Sequence, residues 1–192
     1  MRYILASASP RRRELFERIE AEFEVLVPKA EEIVPAGIAH DEAAKLLAQI
    51  KGKAALEQFD CSGAMVVSAD TIVSAGGEML GKPKDEQDAY RMLKMLSGCT
   101  HTVYTGVALL TADGQERVFC EATNVTFYEL EETLIWKYIQ SKDPFDKAGA
   151  YGIQGEGCVL VKGIEGDYFN VMGLPVARLY RELNEQLKEA KA

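Results

Sequence analysis

Apolar positions along the chain switch repeatedly between the alternating spacing of strands and the three-to-four-residue spacing of helices. Tyr3-Ile4-Leu5-Ala6 is an apolar run of strand length, and Leu15, Phe16 and Ile19 then recur at helical spacing. "EFEVLVP" reads as a strand ending at Pro28, after which Asp41 opens an amphipathic helix carrying Ala44, Leu47, Ile50, Ala54 and Leu56. "AMVVSADTIVSAGGEML" predicts two strand segments around a Gly76-Gly77 turn. Asp85 begins a helix with Ala89, Met92, Leu93 and Leu96 on one side, closed by Gly98. "HTVYTGVALL" and "QERVFCEATNVTFYEL" flank "TADG" as the long arms of a hairpin. "LEETLIWKYIQ" is a helix, and a glycine-rich loop follows it. The last strands are expected near "CVLVKG" and "YFNVMG", before a polar, frayed C-terminal helix from Leu174 onward. This mixture of helices, hairpins and crossovers predicts an α/β fold built on a mixed sheet.

At 192 residues the chain is long enough for one well-cored domain, spanning 1–192, and no repeat or linker divides it. The formal net charge of −8 sets it against duplex nucleic acid as a partner, while a small anion entering one locally basic cleft remains compatible. The apolar stretch at the N-terminus is shorter than the usual signal-peptide core, and no run approaches a membrane span, so a cytoplasmic protein is expected. Cys61, Cys99, Cys120 and Cys158 form no C-x-x-C pair. Cys99-x-His101 is an isolated pair, and simple thiols fit the pattern better than a zinc site.

"SASPRRREL" places Arg11-Arg12-Arg13 in a first helical turn, since Ser9 is a good N-cap and Pro10 suits the position after it. Unpaired N–H groups make that end of a helix partially positive, so each cation there is disfavoured by about 0.3–1 kcal/mol. Either the arginines are a solvated basic face, or an anion such as phosphate offsets the cost, held by helix-end N–H groups and guanidiniums together.

Asp70 lies inside a run of strand formers, where Asp is disfavoured. A partly buried carboxylate needs a cation, a metal or a reaction, and a structural pairing with a nearby lysine is the plain alternative. Glu31-Glu32 in a loop is ordinary solvated charge, or beside a phosphate site a natural Mg²⁺ ligand. Lys51, Lys53 and Lys82 taken singly are surface residues. "DPFDKAGAYGIQGEG" lets the backbone approach a ligand closely, yet it is neither a Walker A sequence nor a G-x-G-x-x-G fingerprint. A G-x-S-x-G nucleophile elbow is also absent.

Taken together and in this order, "SASPRRREL", the Glu pair, "SADTIV", "GKP", "LSG-x-x-H-x-V-x-T" and "DKAGAYGIQG" closely resemble the Maf family of nucleoside triphosphate pyrophosphatases. The resemblance runs nearly the whole chain. It implies a mixed twisted sheet with flanking helices, two lobes around a cleft, and a fold related to inosine triphosphate pyrophosphatases. It also implies a divalent cation, Mg²⁺ or Mn²⁺, and hydrolysis of a nucleotide to monophosphate and pyrophosphate. Carried over by motif, the general base falls on Asp70, which with Glu32 would hold the metal. Ser7, Arg11, Arg12, Lys51 and Lys82 would bind the phosphates. Arg11, Thr71 and Gln154 fall where the family sorts its members by base, and these residue types resemble the branch acting on dTTP, UTP or modified pyrimidine nucleotides. Arg13 carries no family role and reads as surface charge. A homodimer is compatible with this reading. Members of the family have also been linked to arrest of septum formation at cell division, so a nucleotide-sensing regulatory module is the alternative. An intact Asp70 and Glu32 favour catalysis, because a pure binder has no need of a water-activating base.

Overall fold

The computed structural model describes residues 2–189. The first strand, β1 (Arg2–Ala6), lies between β2 (Phe23–Leu26) and β3 (Ala64–Ala75), parallel to both, with Ile4 opposite Glu24 on one side and Val66 on the other. Parallel neighbours need crossover connections, and these are supplied by helices α1 (Pro10–Glu17) and α2 (His40–Gln58). β4 (Glu78–Leu80) returns antiparallel on β3 through Gly76 and Gly77, whose φ angles of 56° and 82° are those a tight two-residue hairpin requires. Helix α3 (Glu86–Leu96) leads to the hairpin of β5 (Thr100–Thr111) and β6 (Glu116–Phe127), then α4 (Glu132–Gln140). Three short 3-10 turns, Asp143–Asp146, Ala148–Ala150 and Gly155–Leu160, precede β7 (Val161–Glu165), α5 (Tyr168–Met172) and α6 (Val176–Glu189). The strands form one seven-stranded mixed sheet in the order β2-β1-β3-β5-β6-β7, with β4 beside β3, so the expected fold class holds. No helix among the described residues is long and apolar enough to cross a membrane.

Several boundaries follow from local chemistry. Ser9 caps α1 by accepting the Arg12 N–H, and Asp85 caps α3 by accepting that of Asp88 at 2.8 Å. Other elements differ from expectation. α2 starts at His40 with Ala39 in the cap position, so Asp41 lies in the first turn, where its charge complements the helix dipole without capping it. "YFNVMG" is not a strand but the short helix α5. Asp167 accepts the Phe169 N–H at 2.8 Å at its start, and the buried Asn170 amide donates to Val103 O and Thr123 Oγ1. Cys158–Leu160 complete a 3-10 turn, leaving β7 to begin at Val161. α6 begins at Val176 rather than Leu174, with Leu179 N–H bonded to Pro175 O, and it is amphipathic, burying Leu179 and Leu183. Fraying at its end falls outside the described residues.

The chain divides into two compact units, one of Met1–Asp70, Thr105–Glu121 and Gly173–Ala192, the other of Thr71–Tyr104 and Ala122–Met172. The first has a core of small side chains, with Ala48 and Ala55 of α2 against Ile4, Val66 and Ala108. That choice lets α2 approach the sheet closely. A Cβ on Gly52 would lie 2.5 Å from Leu110 Cδ1, and one on Gly106 would lie 2.2 Å from Ala44 O. The second unit packs α3 on α4 with larger residues. Leu93, Leu96, Ile135 and Ile139 are fully buried, each stabilising by roughly 1.5–3 kcal/mol. The rings of Tyr90 and Trp136 stack 5.0 Å apart beside them.

Candidate active site

Six of the sequence-derived site residues lie in the first unit. β1 ends at Ala6, and the turn after it is held by Ser7 N–H to Leu5 O and by the Ser7 hydroxyl, which accepts the Ser9 N–H at 3.2 Å. Ser7 is buried. The arginines then enter the first turn of α1 and part company. Arg13 is exposed and pairs with Glu17 one turn on at 3.1 Å, the surface role expected of it. Arg11 and Arg12 are half-buried. Arg12 Nε donates to the carbonyl of Gly173 at 2.8 Å, which holds the plane of its guanidinium. Burial pulls the Arg12 guanidinium below its ordinary value, Asp70 and Glu32 draw it back up, and Arg11 pushes it down. The cation therefore sits within electrostatic reach of all three.

Asp70 projects from β3 and is only 13% exposed, and the cation that makes this tolerable is Lys51 from α2. Lys51 Nζ donates to Asp70 Oδ1 and lies 3.3 Å from Glu32 Oε1, so one ammonium is shared by two carboxylates. The seating of α2 fixes that geometry. Ser68, two residues before Asp70, donates to Ala48 O at 2.7 Å, and the bare Gly52 lets the helix lie against the sheet at that point. An ion pair of Asp70 with a lysine is what a structural role alone also predicts. The second carboxylate and the two arginines go beyond that role. Three cations stand with two carboxylates in a chain whose net charge is −8, a locally basic spot suited to an anion.

A divalent cation can be tested against these donors. Among the described residues no three or more His, Cys, Asp and Glu side chains converge as a metal cage. Glu32 and Asp70 do converge on one positive charge, and two carboxylates suffice for Mg²⁺, which leaves its other positions to water and phosphate oxygens. The donor set fits.

Thr71, Lys82 and Gln154 belong to the second unit. Thr71 is half-buried on β3, and Lys82 is exposed between β4 and α3. Gln154 is half-buried at the cap position of the Gly155–Leu160 turn, and its side chain makes no capping bond there. The Cys99-x-His101 pair is split by burial. Cys99 is exposed, whereas His101 is buried, bonded to the Tyr151 hydroxyl at 2.8 Å, and its pKa is pushed down to about 4 by burial. All four thiols are free.

Sequence reasoning missed the Gly173 carbonyl, because a backbone acceptor leaves no mark on residue type.

Residues 2–186 match the family described as Maf-like protein. The chain is 49% identical over 186 residues to the dTTP/UTP pyrophosphatase of Carboxydothermus hydrogenoformans, covering 96% of this chain and 98% of that one. It is likewise 49% identical over 184 residues to the dTTP/UTP pyrophosphatase of Bacillus cytotoxicus, covering 96% and 95%. Among solved structures it is similar to the Ham1 protein of Staphylococcus aureus, with a TM-score of 0.56 at 13% identity over the whole of both chains. A Ham1 protein from Coxiella burnetii matches at a TM-score of 0.51 and 14% identity, covering 96% of this chain and 99% of that one. At such identities the likeness speaks for the fold alone.

Proposed function

The chain belongs to the Maf family and is a nucleoside triphosphate pyrophosphatase, and from that premise we propose that it hydrolyses dTTP and UTP to the monophosphate and pyrophosphate. Residues 1–192 are read as one Maf-like domain, because the family match runs through both compact units. What carries the reading of mechanism is Lys51, held by both Asp70 and Glu32, the same two carboxylates whose charges act on Arg12.

Cleavage between the α- and β-phosphates needs a positioned water, a base for its proton, and cations where negative charge grows on the phosphoryl oxygens. Asp70 is the base. Its carboxylate orients the water and takes the proton at Oδ1 or Oδ2 as the oxygen attacks the α-phosphorus. Arg11, Arg12, Lys51 and Lys82 hold the phosphate chain, with Ser7 in the turn before α1. When the triphosphate enters, Lys51 exchanges part of its carboxylate pairing for phosphate oxygens. Glu32 and Asp70 would hold Mg²⁺ or Mn²⁺, which supplies charge neutralisation and a more acidic bound water. Arg11, Thr71 and Gln154 select the base, the Gln154 amide matching the O4/N3 edge of uracil or thymine with one donor and one acceptor.

A nucleotide panel with Mg²⁺ or Mn²⁺, resolved by chromatography, tests this. Monophosphate and pyrophosphate are expected, with UTP and dTTP ahead of CTP, ATP and GTP in kcat/KM. Diphosphate and orthophosphate as the only products would overturn the reaction, and equal rates on purine triphosphates would remove the base preference. Nucleotide binding without pyrophosphate release under either metal would leave a regulatory module in its place.

A further inference from the structure

The residue proposed to read the base stands on a loop whose closure depends on side chains that the Asp70 chemistry does not use. Gly152-Ile153-Gln154-Gly155-Glu156-Gly157 turns back on itself. A Cβ on Gly157 would lie 2.2 Å from Gly152 O and 2.8 Å from Tyr138 Oη, so the two ends of the loop touch and the Tyr138 hydroxyl sits in their neck. That hydroxyl accepts the Gly152 N–H at 3.0 Å and donates to Asp143 Oδ2 at 2.7 Å. The other Asp143 oxygen accepts from Lys147 Nζ at 2.8 Å, and the same ammonium reaches Asp143 O and Asp146 Oδ1, each at 2.6 Å. Lys147 is 12% exposed, and its stem lies where a Cβ on Gly152 would be, 2.6 Å from Cε. Lys142 and Ala150, at φ 66° and 59°, hold left-handed conformations unfavourable for residues with a Cβ, on either side of this network.

We propose that Tyr138, locked by Asp143 and bonded to the Gly152 amide, is a positioning residue for base selection, holding the neck of the loop so that Gln154 is presented in one conformation. The proposal rests on the reading of Gln154 as the residue that selects the base. An amide side chain discriminates by hydrogen-bond geometry only if its backbone is fixed, and here the fixed point is two residues away. Lys147 neutralises the Asp143 carboxylate, which keeps Asp143 available as the acceptor that orients the Tyr138 hydroxyl. With its proton directed at Asp143, the hydroxyl oxygen faces the Gly152 N–H with a lone pair.

The test compares the purified full chain with Tyr138→Phe, Gln154→Ala and the double variant, measuring kcat and KM for UTP, dTTP and CTP together with the thermal midpoint. Tyr138→Phe is expected to lower the UTP-to-CTP ratio of kcat/KM roughly tenfold, the size of one hydrogen bond lost from an enclosed network. The loss should enter through KM for UTP and dTTP, with kcat within about twofold of wild type. The double variant should discriminate no worse than Gln154→Ala alone. If Gln154→Ala lowers the ratio while Tyr138→Phe slows UTP and CTP alike, or only lowers the midpoint, Tyr138 is structural and the proposal fails by itself. If Gln154→Ala leaves the ratio unchanged, the base-reading assignment fails and takes the proposal with it. Should Tyr138→Phe not fold, Asp143→Ala removes the acceptor of the Tyr138 hydroxyl and is read by the same ratio.

Discussion

Arg12 and Gly173 are joined by one hydrogen bond, from the guanidinium Nε to the backbone carbonyl, 2.8 Å long and spanning 161 positions of the chain. A guanidinium is a rigid planar fork, so fixing Nε fixes the directions of its other N–H groups. This explains how a helix start tolerates an arginine there. The side chain is carried off the helix end, anchored on a carbonyl, and left within reach of the Asp70 and Glu32 charges.

Arg12→Lys keeps the charge and loses the fork. A lysine ammonium cannot both replace the bond to Gly173 and present a bidentate face to phosphate, so KM for the triphosphate should rise about tenfold, with a smaller fall in kcat. Steady-state kinetics against wild type decide it, and an unchanged KM would mean that charge alone suffices.

Asp70→Asn keeps the shape of the side chain but cannot accept a proton near neutral pH. Turnover should fall by about 10²–10⁴-fold, the usual share of a general base. Nucleotide affinity, measured alongside at saturating metal, should largely persist because the arginines remain, reduced only by the share of the metal's grip that Asp70 would supply. Full activity in this variant would sink the base assignment.

Acid stability should report His101. Burial holds its ring neutral in the folded chain, with a pKa of about 4. The unfolded chain therefore binds the extra proton between about pH 6.5 and 4, so stability is fully present above that window and is lost as pH falls through it. The loss amounts to about 3 kcal/mol at most. Denaturant unfolding of His101→Gln should show a shallower decline than wild type across this range. Parallel curves would show that the carboxylates alone account for acid sensitivity.

Gly106→Ala should destabilise the protein by about 3 kcal/mol, because the new Cβ would meet the Ala44 backbone, which has no rotamer with which to yield. Gly63→Ala, where no heavy atom lies within 4 Å and only a φ of 66° opposes the side chain, should cost about 1 kcal/mol. Thermal or chemical unfolding would separate the two, and equal losses would contradict the close approach of α2 to β5.

Much of the architecture was legible because it is specified locally. A capping serine followed by proline starts α1, a Gly-Gly pair turns β3 into β4, and Asp85 starts α3, each through bonds that close within four residues. "YFNVMG" runs against its local propensities. Its aromatic and β-branched residues favour a strand, but the segment is the helix α5, in which the Asn170 Nδ2 donates to Val103 O, 67 residues away, and to Thr123 Oγ1.

The candidate site divides in the same way. By itself the sequence determined which residue types are out of place, three arginines at a positive helix end and an aspartate within a strand, because propensity and dipole penalties depend only on neighbours in the chain. It also carried the motifs by which the family was recognised. Only the tertiary structure decided that Lys51, Asp70 and Glu32, already singled out by the family resemblance, meet at one ammonium, and that Arg12 is braced by Gly173. These partners are chosen by how closely α2 seats on β3 and β5 through Gly52 and Gly106, and by a carbonyl whose position no residue type encodes. Long-range pairing is set by packing, and packing is a property of the folded chain as a whole.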